Sequence, residues 1–256
     1  MDYNKKLNKI YNNSKLSKRI NSYTGDEPLT IEWIESFEKN SIFYDIGSNI
    51  GGYSFIASFN SNVKTIYSFE PNLDNFYSQI IACRNNDIKN IHPFNLAVNN
   101  NNTFNFFKYD RGYNPDKLNY DISEKKPIYK AGSKGTFGEE LKDQMIKSDY
   151  SNPFKRGITW ETGIIGISLD SLVYEFNMPI PNYLKIDVDG NDFLVLSGAE
   201  RLLNEPNVKE IFIEIDDKIY QDGEIEKFML KYSFNIEKNI NVGSEDKPMR
   251  MVLYKK

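Results

Sequence analysis

The chain predicts a doubly wound α/β sheet, mostly parallel with an antiparallel last strand, and three observations carry that expectation. Short apolar runs rich in β-forming residues alternate with helical segments along most of its 256 residues. The first run, Ile42-Phe43-Tyr44-Asp45-Ile46, passes directly into a glycine-containing turn, Gly47-Ser48-Asn49-Ile50-Gly51-Gly52. The last two runs, near 234–240 and 249–254, follow one another with no helix between them, as an antiparallel pair at a sheet edge would.

Each element follows from its pattern. Residues 1–28 are polar and asparagine-rich and end on a turn, Gly25-Asp26-Glu27-Pro28, so residues 1–41 read as a lead-in carrying one short helix capped by Thr30. The basic N-terminal residues are expected on a solvated helix or frayed arm. Residues 42–256 form the main domain. Strands are expected at 43–47, 64–69 and 91–98, with helices at 52–59 and 73–85 between them. From 103 to 162 the rhythm gives way to a long, aromatic, lysine-rich stretch with recurrent Gly and Pro. A strand at 104–109 and a helix at 138–147 are expected within it, and its length and place mark it as a substrate lid. The alternation then resumes with strands at 163–168, 183–188 and 209–215, and helices at 170–176, 191–204 and 224–230.

The turn after the first strand is built to hold a small polar ligand. Glycines supply backbone freedom and close approach where a buried strand turns into a helix. About 25 residues beyond Asp45, the strand ending Ser68-Phe69 is followed by Glu70-Pro71, and an acid at a second strand end suits the two hydroxyls of a ribose. The Gly47-x-x-x-Gly51 spacing departs from the G-x-G-x-x-G of dinucleotide turns, and the Asp45 carboxylate would repel a pyrophosphate. A cationic nucleoside without phosphates fits both acids. S-adenosylmethionine, with its sulfonium, amino group and ribose, is such a ligand.

Bulk properties exclude several classes. A formal charge of −4 argues against a nucleic-acid binder that depends on broad phosphate neutralisation. No apolar run approaches the roughly 20 residues of a membrane span. No apolar stretch follows the N-terminal lysines as in a secretory signal, so a cytoplasmic location is expected. One cysteine, Cys83, and one histidine, His92, leave no disulfide, zinc-finger spacing or two-histidine metal site. Cys83 reads as a small core residue and His92 as a rim residue beside Pro93.

Ligands of open α/β sheets bind outside the carboxyl ends of the strands. Asp45 and Glu70 stand at two such ends. Lys185-Ile186-Asp187-Val188-Asp189-Gly190 brings Asp187 and Asp189 to a third, and Glu214 with Asp216 and Asp217 comes to a fourth. A buried Asp187 ending an apolar strand needs a partner, a hydrogen bond or a cation, which makes it a functional candidate; backbone bonding, with Asp189 as a helix cap, is the alternative.

These segments, taken in order, resemble the FkbM-family methyltransferases: Asp-Ile-Gly-Ser-Asn-Ile-Gly-Gly-Tyr-Ser from 45, Ser-Phe-Glu-Pro-Asn at 68–72, Leu-Asp-Ser-Leu at 169–172, Leu-Lys-Ile-Asp-Val-Asp-Gly at 184–190 and Leu-Ser-Gly-Ala at 196–199. The likeness covers about 42–216, with the insertion poorly matched. The family has Glu where Asp189 stands, and its second acid after the glycine is displaced here to Asp192. The resemblance implies S-adenosylmethionine-dependent methylation of a hydroxyl, often of a sugar or polyketide. It implies that Asp45, Gly47, Asn49 and Gly51 surround the methionine part of the cofactor and that Glu70 takes the ribose. Phe69 and Asn72 would flank the adenosine, with Ala97 or Val98 near the adenine. By the same resemblance Tyr53 and Ser54 would lie beside the cofactor, and a core or helix-start role fits each of them equally well.

Asp187 is the first candidate for a general base, with Asp189 and Glu214 next. Asp187 and Glu214 are alternatively ligands for Mg²⁺ or Mn²⁺. The basic residues of the insertion, Lys155 and Arg156 among them, read as a solvated face or, alternatively, as a grip on the phosphates of a nucleotide-linked sugar; with the family resemblance, the second reading makes a sugar nucleotide or surface-polysaccharide precursor the expected substrate. A lipid or polyketide O-methyltransferase, a nicotinamide-dependent reductase and a non-catalytic binding module remain as alternatives. Oligomeric state is not legible.

Overall fold

A computed structural model describes residues 2–11, 17–25, 27–109, 135–137, 160–188, 190–220, 223–243 and 248–256. The expected helix at 138–147, most of the expected lid, Lys155, Arg156 and Asp189 lie outside these residues. The main sheet contains β1 (Ser41–Ile46), β2 (Val63–Phe69), β3 (Ile91–Phe94), β8 (Tyr183–Ile186), β9 (Glu210–Asp216), β10 (Asn235–Asn241) and β11 (Met249–Lys255). Their spatial order is β10-β11-β9-β8-β1-β2-β3. The strands from β3 to β9 pair in parallel, and β11 runs antiparallel to both β9 and β10. The last strand is therefore the one reversed strand of this sheet.

Both faces of the sheet are covered, which is why its central strands are apolar on both sides. One face carries Tyr44, Ile46, Leu184, Ile186, Ile211 and Ile213 against α6 (Leu169–Tyr174), α7 (Asp192–Ser197) and α8 (Glu224–Leu230). The other presents Phe43, Ile66, Tyr183, Phe212 and Met251 to α3 (Pro28–Glu35), α4 (Gly52–Ser58) and α5 (Leu73–Asn85). Trp33 is the centre of that second layer: its ring packs against Phe37, Phe43, Tyr183 and Phe212, and its Nε1 donates to Glu210 at 2.8 Å.

The N-terminal lead-in differs from the expected solvated arm. It folds as α1 (Tyr3–Tyr11) and α2 (Ser17–Gly25), and their apolar side chains Leu7, Ile10, Ile20 and Tyr23 are buried in the same layer as α3 to α5. Lys5 and Lys9 of α1 are exposed and Lys6 lies over the Phe59 ring, while Leu7 and Ile10, a helical turn apart, pack inward. Tyr3 donates to Glu35 at 2.7 Å, and Asn86 of the α5 C-terminus donates to the Ile10 carbonyl at 3.0 Å, so α1 is tied to both neighbours.

Two expected elements are divided. The run 91–98 becomes β3 and a separate β4 (Ala97–Val98), because Asn95 turns the chain by donating to the Glu70 and Pro71 carbonyls. β4 joins a second sheet of order β4-β7-β5-β6, built from β5 (Thr103–Tyr109), β6 (Gly135–Phe137) and β7 (Trp160–Ile167). The two ends of the insertion thus pair with each other, from Thr103 opposite Gly166 to Tyr109 opposite Trp160. The helix expected over 191–204 stops at Ser197 and resumes as a 3₁₀ turn, Leu202–Asn204. Gly198 marks the break: a Cβ there would lie 2.3 Å from the Asn99 carbonyl oxygen, so the chain passes too close to the β4 end for any side chain.

Candidate active site

The site is assembled by strand register. Asp45 stands opposite Ser68 on β2 and Lys185 on β8, and Lys185 stands opposite Phe212 on β9. Side chains two apart along a strand share a face. Asp45 therefore follows Phe43, Lys185 follows Tyr183, and Glu214 follows Phe212, all on the side covered by α1 to α5. Asp187, immediately beyond the β8 end, continues that row.

The turn after β1 is held from three sides. Gly47 and Ser48 donate their backbone N–H groups to the Phe69 carbonyl at 3.0 and 3.1 Å. Gly47 (φ 77°) and Gly51 (φ 89°) are left-handed, and so is Asn49 (φ 53°), a residue type that tolerates this region. From α5, the fully buried Gln79 donates to Ser48 Oγ at 2.8 Å and to the Asn49 carbonyl, while its Oε1 accepts from Ser68 Oγ at 2.8 Å. Glu70 Oε2 accepts from the Asn49 N–H at 2.7 Å and Oε1 from the Asn72 N–H at 2.8 Å, so this carboxyl joins the turn to the start of α5. Asn72 caps α5, accepting from the Asp74 and Asn75 N–H groups. Phe69 is fully buried against Tyr44 and Phe94, and Ala97 is buried in β4.

The sequence does not mark Gln79, because the apolar stripe Phe76, Ile80 and Cys83 points to a different helix face from the buried one, which carries Asn75, Gln79, Ala82 and Cys83. Replacing it with Leu removes two hydrogen bonds to the turn and one to Ser68 of β2 at similar volume. Net hydrogen-bond contributions of about 0.5–1.5 kcal/mol each predict a cofactor affinity roughly tenfold lower or worse, with the fold retained. Titration with S-adenosylhomocysteine checks this, and unchanged affinity would mean that the turn is held without Gln79.

Asp45 is buried at the head of the turn. Its Oδ2 accepts from Ser54 Oγ at 2.6 Å, and its Oδ1 is buried with no hydrogen bond. Burial pushes its pKa up, opposed by the Lys185 charge and the Ser54 hydroxyl. An unbonded buried carboxylate oxygen is costly and suits a cationic or hydrogen-bond-donating ligand. With the glycine turn and Glu70 at the adjacent strand end, this donor set fits S-adenosylmethionine.

The chemistry-bearing cluster lies one strand over. The Lys185 side chain is 1% exposed, and its Nζ is 2.7 Å from Asp187 Oδ2. Burial works against its charge, but Asp187, then Glu27 and Asp45, more than offset it and hold its pKa above the ordinary lysine value. At 21% exposure, the Asp187 side chain remains reachable from outside while its charge is fixed from within. Glu214 is half-buried beside it. Burial, then the Asp187 charge and a hydrogen bond to Asp187, push the Glu214 pKa far above the carboxylate range, with Lys185 opposing. Two carboxyls this close disfavour double ionisation, so the pair holds a proton to higher pH than an isolated carboxyl does. Asp192 orders the loop between them and α7, accepting from the Val188 and Gly190 N–H groups at 3.2 and 3.3 Å.

Lys185 lies within the Leu-Lys-Ile-Asp-Val-Asp-Gly segment. Its signal was legible: a lysine inside an apolar strand, two residues from an aspartate, requires a buried counter-ion.

The Glu214 assignment has a pH consequence. A carboxyl whose folded pKa lies above its unfolded value contributes stability that is complete below the unfolded value, 4.5, and is lost as pH rises through the folded one. Wild-type protein should therefore lose stability relative to Glu214→Gln as pH rises from about 5 to 8. A constant difference in denaturation midpoint across that range would show Glu214 to be ionised.

For a divalent ion the described residues fit poorly. No group of three or more His, Cys, Asp or Glu among them is placed to hold a metal. Of the two acids expected to bind one, Asp187 is engaged by the Lys185 ammonium at 2.7 Å.

The sheet order, its single reversed strand and the acids at its carboxyl ends define a Rossmann-like fold of the methyltransferase class. A family model described as the methyltransferase FkbM domain matches residues 45–236, and the chain belongs to that family. The hexuronic acid methyltransferase AglP of Haloferax volcanii is 26% identical over 203 residues, covering 78% of this chain and 68% of that protein. The crystal structure of a methyltransferase FkbM from Methylobacillus flagellatus superposes with a TM-score of 0.50 at 13% identity, covering 100% of this chain. This chain spans 55% of the length of that one. No helix among the described residues is long and apolar enough to cross a membrane.

Proposed function

We propose that the protein is an S-adenosylmethionine-dependent O-methyltransferase whose acceptor is a hydroxyl of a sugar, carried on a nucleotide or a surface-polysaccharide precursor. The observation that carries the reading is the Lys185–Asp187–Glu214 cluster beside the Asp45 turn: a charge-fixed, partly exposed carboxylate next to a turn suited to the methyl donor. When bound, S-adenosylmethionine supplies an electrophilic methyl group. Asp45, Gly47, Asn49 and Gly51 would hold its methionine part and Glu70 its ribose, with Phe69, Asn72 and Ala97 on the adenosine side. The sugar acceptor is supported by the name of the Haloferax relative and by the need of a weakly acidic hydroxyl for a base.

Asp187 acts as that base. Lys185 fixes its carboxylate and keeps it ionised, and Glu214, protonated, donates a hydrogen bond that shapes the pair. Orientation of the hydroxyl contributes about 7–11 kcal/mol to lowering the barrier, and the base a further factor of about 10² to 10⁴. Lys155 and Arg156 would meet the phosphates of a nucleotide-linked acceptor.

Incubation with methyl-labelled S-adenosylmethionine and a panel of nucleotide-linked sugars, with and without chelator, tests the reading. It predicts labelled sugar and no effect of chelation. Cofactor binding with no sugar labelled would favour a binding module, and labelling of lipid or polyketide acceptors alone would move the substrate class.

A further inference from the structure

We propose that Tyr220 is a positioning residue for the transfer step: its hydroxyl holds the loop that carries Asp187 against the end of β9 and so fixes the Asp187 carboxylate relative to Glu214. This rests on the reading of Asp187 as the base, and it adds a residue that stands at no strand end.

The need for such a tie follows from the strand ladder. β8 and β9 pair in parallel as far as Ile186 opposite Ile213, and Asp187 and Glu214 are the next residues along the two segments. At that point the Asp187 backbone turns to its other neighbour, donating its N–H to the Ile46 carbonyl of β1 at 3.0 Å. Gly190, at φ 95°, then redirects the chain into α7. The two carboxyls therefore stand where β8 and β9 part, and backbone pairing between those strands no longer sets their separation.

Tyr220 supplies the tie from the β9 side. The chain folds back directly after that strand, with the Ile219 and Tyr220 N–H groups both donating to the Asp216 carbonyl at 3.0 Å and the Lys218 N–H to Asp216 Oδ1 at 2.9 Å. From this turn the buried Tyr220 side chain spans to the loop after β8. Its hydroxyl donates to the Gly190 carbonyl at 2.6 Å and accepts from the Phe193 N–H at 3.3 Å. The second bond serves as a helix cap, because Asn191 at the N-cap of α7 makes no capping bond with its own side chain. Gly190 is thus held at both of its polar groups, the carbonyl by Tyr220 and the N–H by Asp192. Burial pushes the Tyr220 pKa up, so the hydroxyl keeps the proton that it donates.

Positioning can be separated from stability. Tyr220→Phe keeps the ring that packs on Phe193 and removes only the hydroxyl. Tyr44 gives the matched control: its phenol is also buried and donates at 2.8 Å to a loop carbonyl, that of Pro179, but at the end of the sheet where β8 begins, away from the acids.

The full chain, saturated with S-adenosylhomocysteine and labelled at its Asp and Glu carboxyl carbons, is titrated by NMR as wild type, Tyr220→Phe and Tyr44→Phe. In Tyr220→Phe the Asp187 and Glu214 titrations should move by about 0.5 pH or more, since coupling between two close carboxyls falls as they separate. In Tyr44→Phe both should match wild type. With the nucleotide-linked sugar that wild type labels, Tyr220→Phe should lower kcat by about tenfold or more while KM and S-adenosylhomocysteine affinity stay within about twofold, the pattern of lost alignment. Added to Asp187→Asn, the same substitution should change the residual turnover by less than about twofold, because its effect passes through Asp187. Unmoved titrations in Tyr220→Phe, an equal movement in Tyr44→Phe, or an undiminished loss of turnover in the Asp187→Asn background overturns the proposal and leaves the sugar reading standing. Wild-type protein that labels no nucleotide-linked sugar overturns the acceptor reading, while the titrations still decide whether Tyr220 sets the carboxyl pair.

Discussion

Asp187→Asn should lower turnover by about 10² to 10⁴ while S-adenosylhomocysteine affinity stays within a few-fold of wild type, the loss expected when a positioned base is removed. The fold should survive despite the buried Lys185 ammonium, although breaking a buried ion pair commonly costs about 3–5 kcal/mol. The reason is the neighbouring acid. Asp187 raises the Glu214 pKa, so removing the Asp187 charge allows Glu214 to ionise and stand in as counter-ion. The variant should therefore be less pH-sensitive in stability than wild type and still inactive. Joining Lys185→Met to Asp187→Asn removes charge and counter-charge together and should recover stability without recovering turnover. Steady-state kinetics and denaturation of the three proteins check the set. Wild-type turnover in Asp187→Asn would remove the base from the mechanism.

Gly47→Ala should be the most damaging change in the turn. The added Cβ would stand 1.9 Å from the Asp187 carbonyl oxygen and 3.1 Å from Val188 Cγ1, at φ 77°. The left-handed backbone alone costs about 1–3 kcal/mol for a residue with a side chain. The clash is with backbone, which cannot swing away, so the turn after β1 and the loop after β8 must separate. Those two loops carry the cofactor-binding and base-bearing halves of the proposed site. The expected result is a fall in S-adenosylhomocysteine affinity of about a hundredfold or more, together with lost stability. Gly163→Ala serves as the control, since a Cβ there meets nothing within 4 Å. Equal effects of the two substitutions would contradict the close approach of the loops.

Much of this site was legible because strand ends are where apolar runs stop, and an acid at that point is conspicuous. Asp45, Glu70, Asp187 and Glu214 were all found that way, and the structure brings Asp45, Asp187 and Glu214 around Lys185. Residues on helices were harder to see. Gln79 lies beside Asn75 on the buried face of α5 and Tyr23 in the polar run of α2, and nothing in their local pattern shows that both pack on the glycine turn. Divided elements were missed for a related reason. Hydrophobic pattern carried no mark of the Asn95 side chain turning the chain after β3, or of Gly198 pressing on the Asn99 backbone, because both depend on contacts far away in sequence.

The most direct test of the central claim is the position of the transferred label. Wild-type protein and Asp187→Asn should be incubated in parallel with methyl-labelled S-adenosylmethionine and the nucleotide-linked sugars, and the products resolved by mass spectrometry and NMR. Label on a ring hydroxyl oxygen, formed by wild type and reduced by two orders of magnitude or more in the variant, is the predicted result. Label on nitrogen or carbon, or equal labelling by the two proteins, would contradict it.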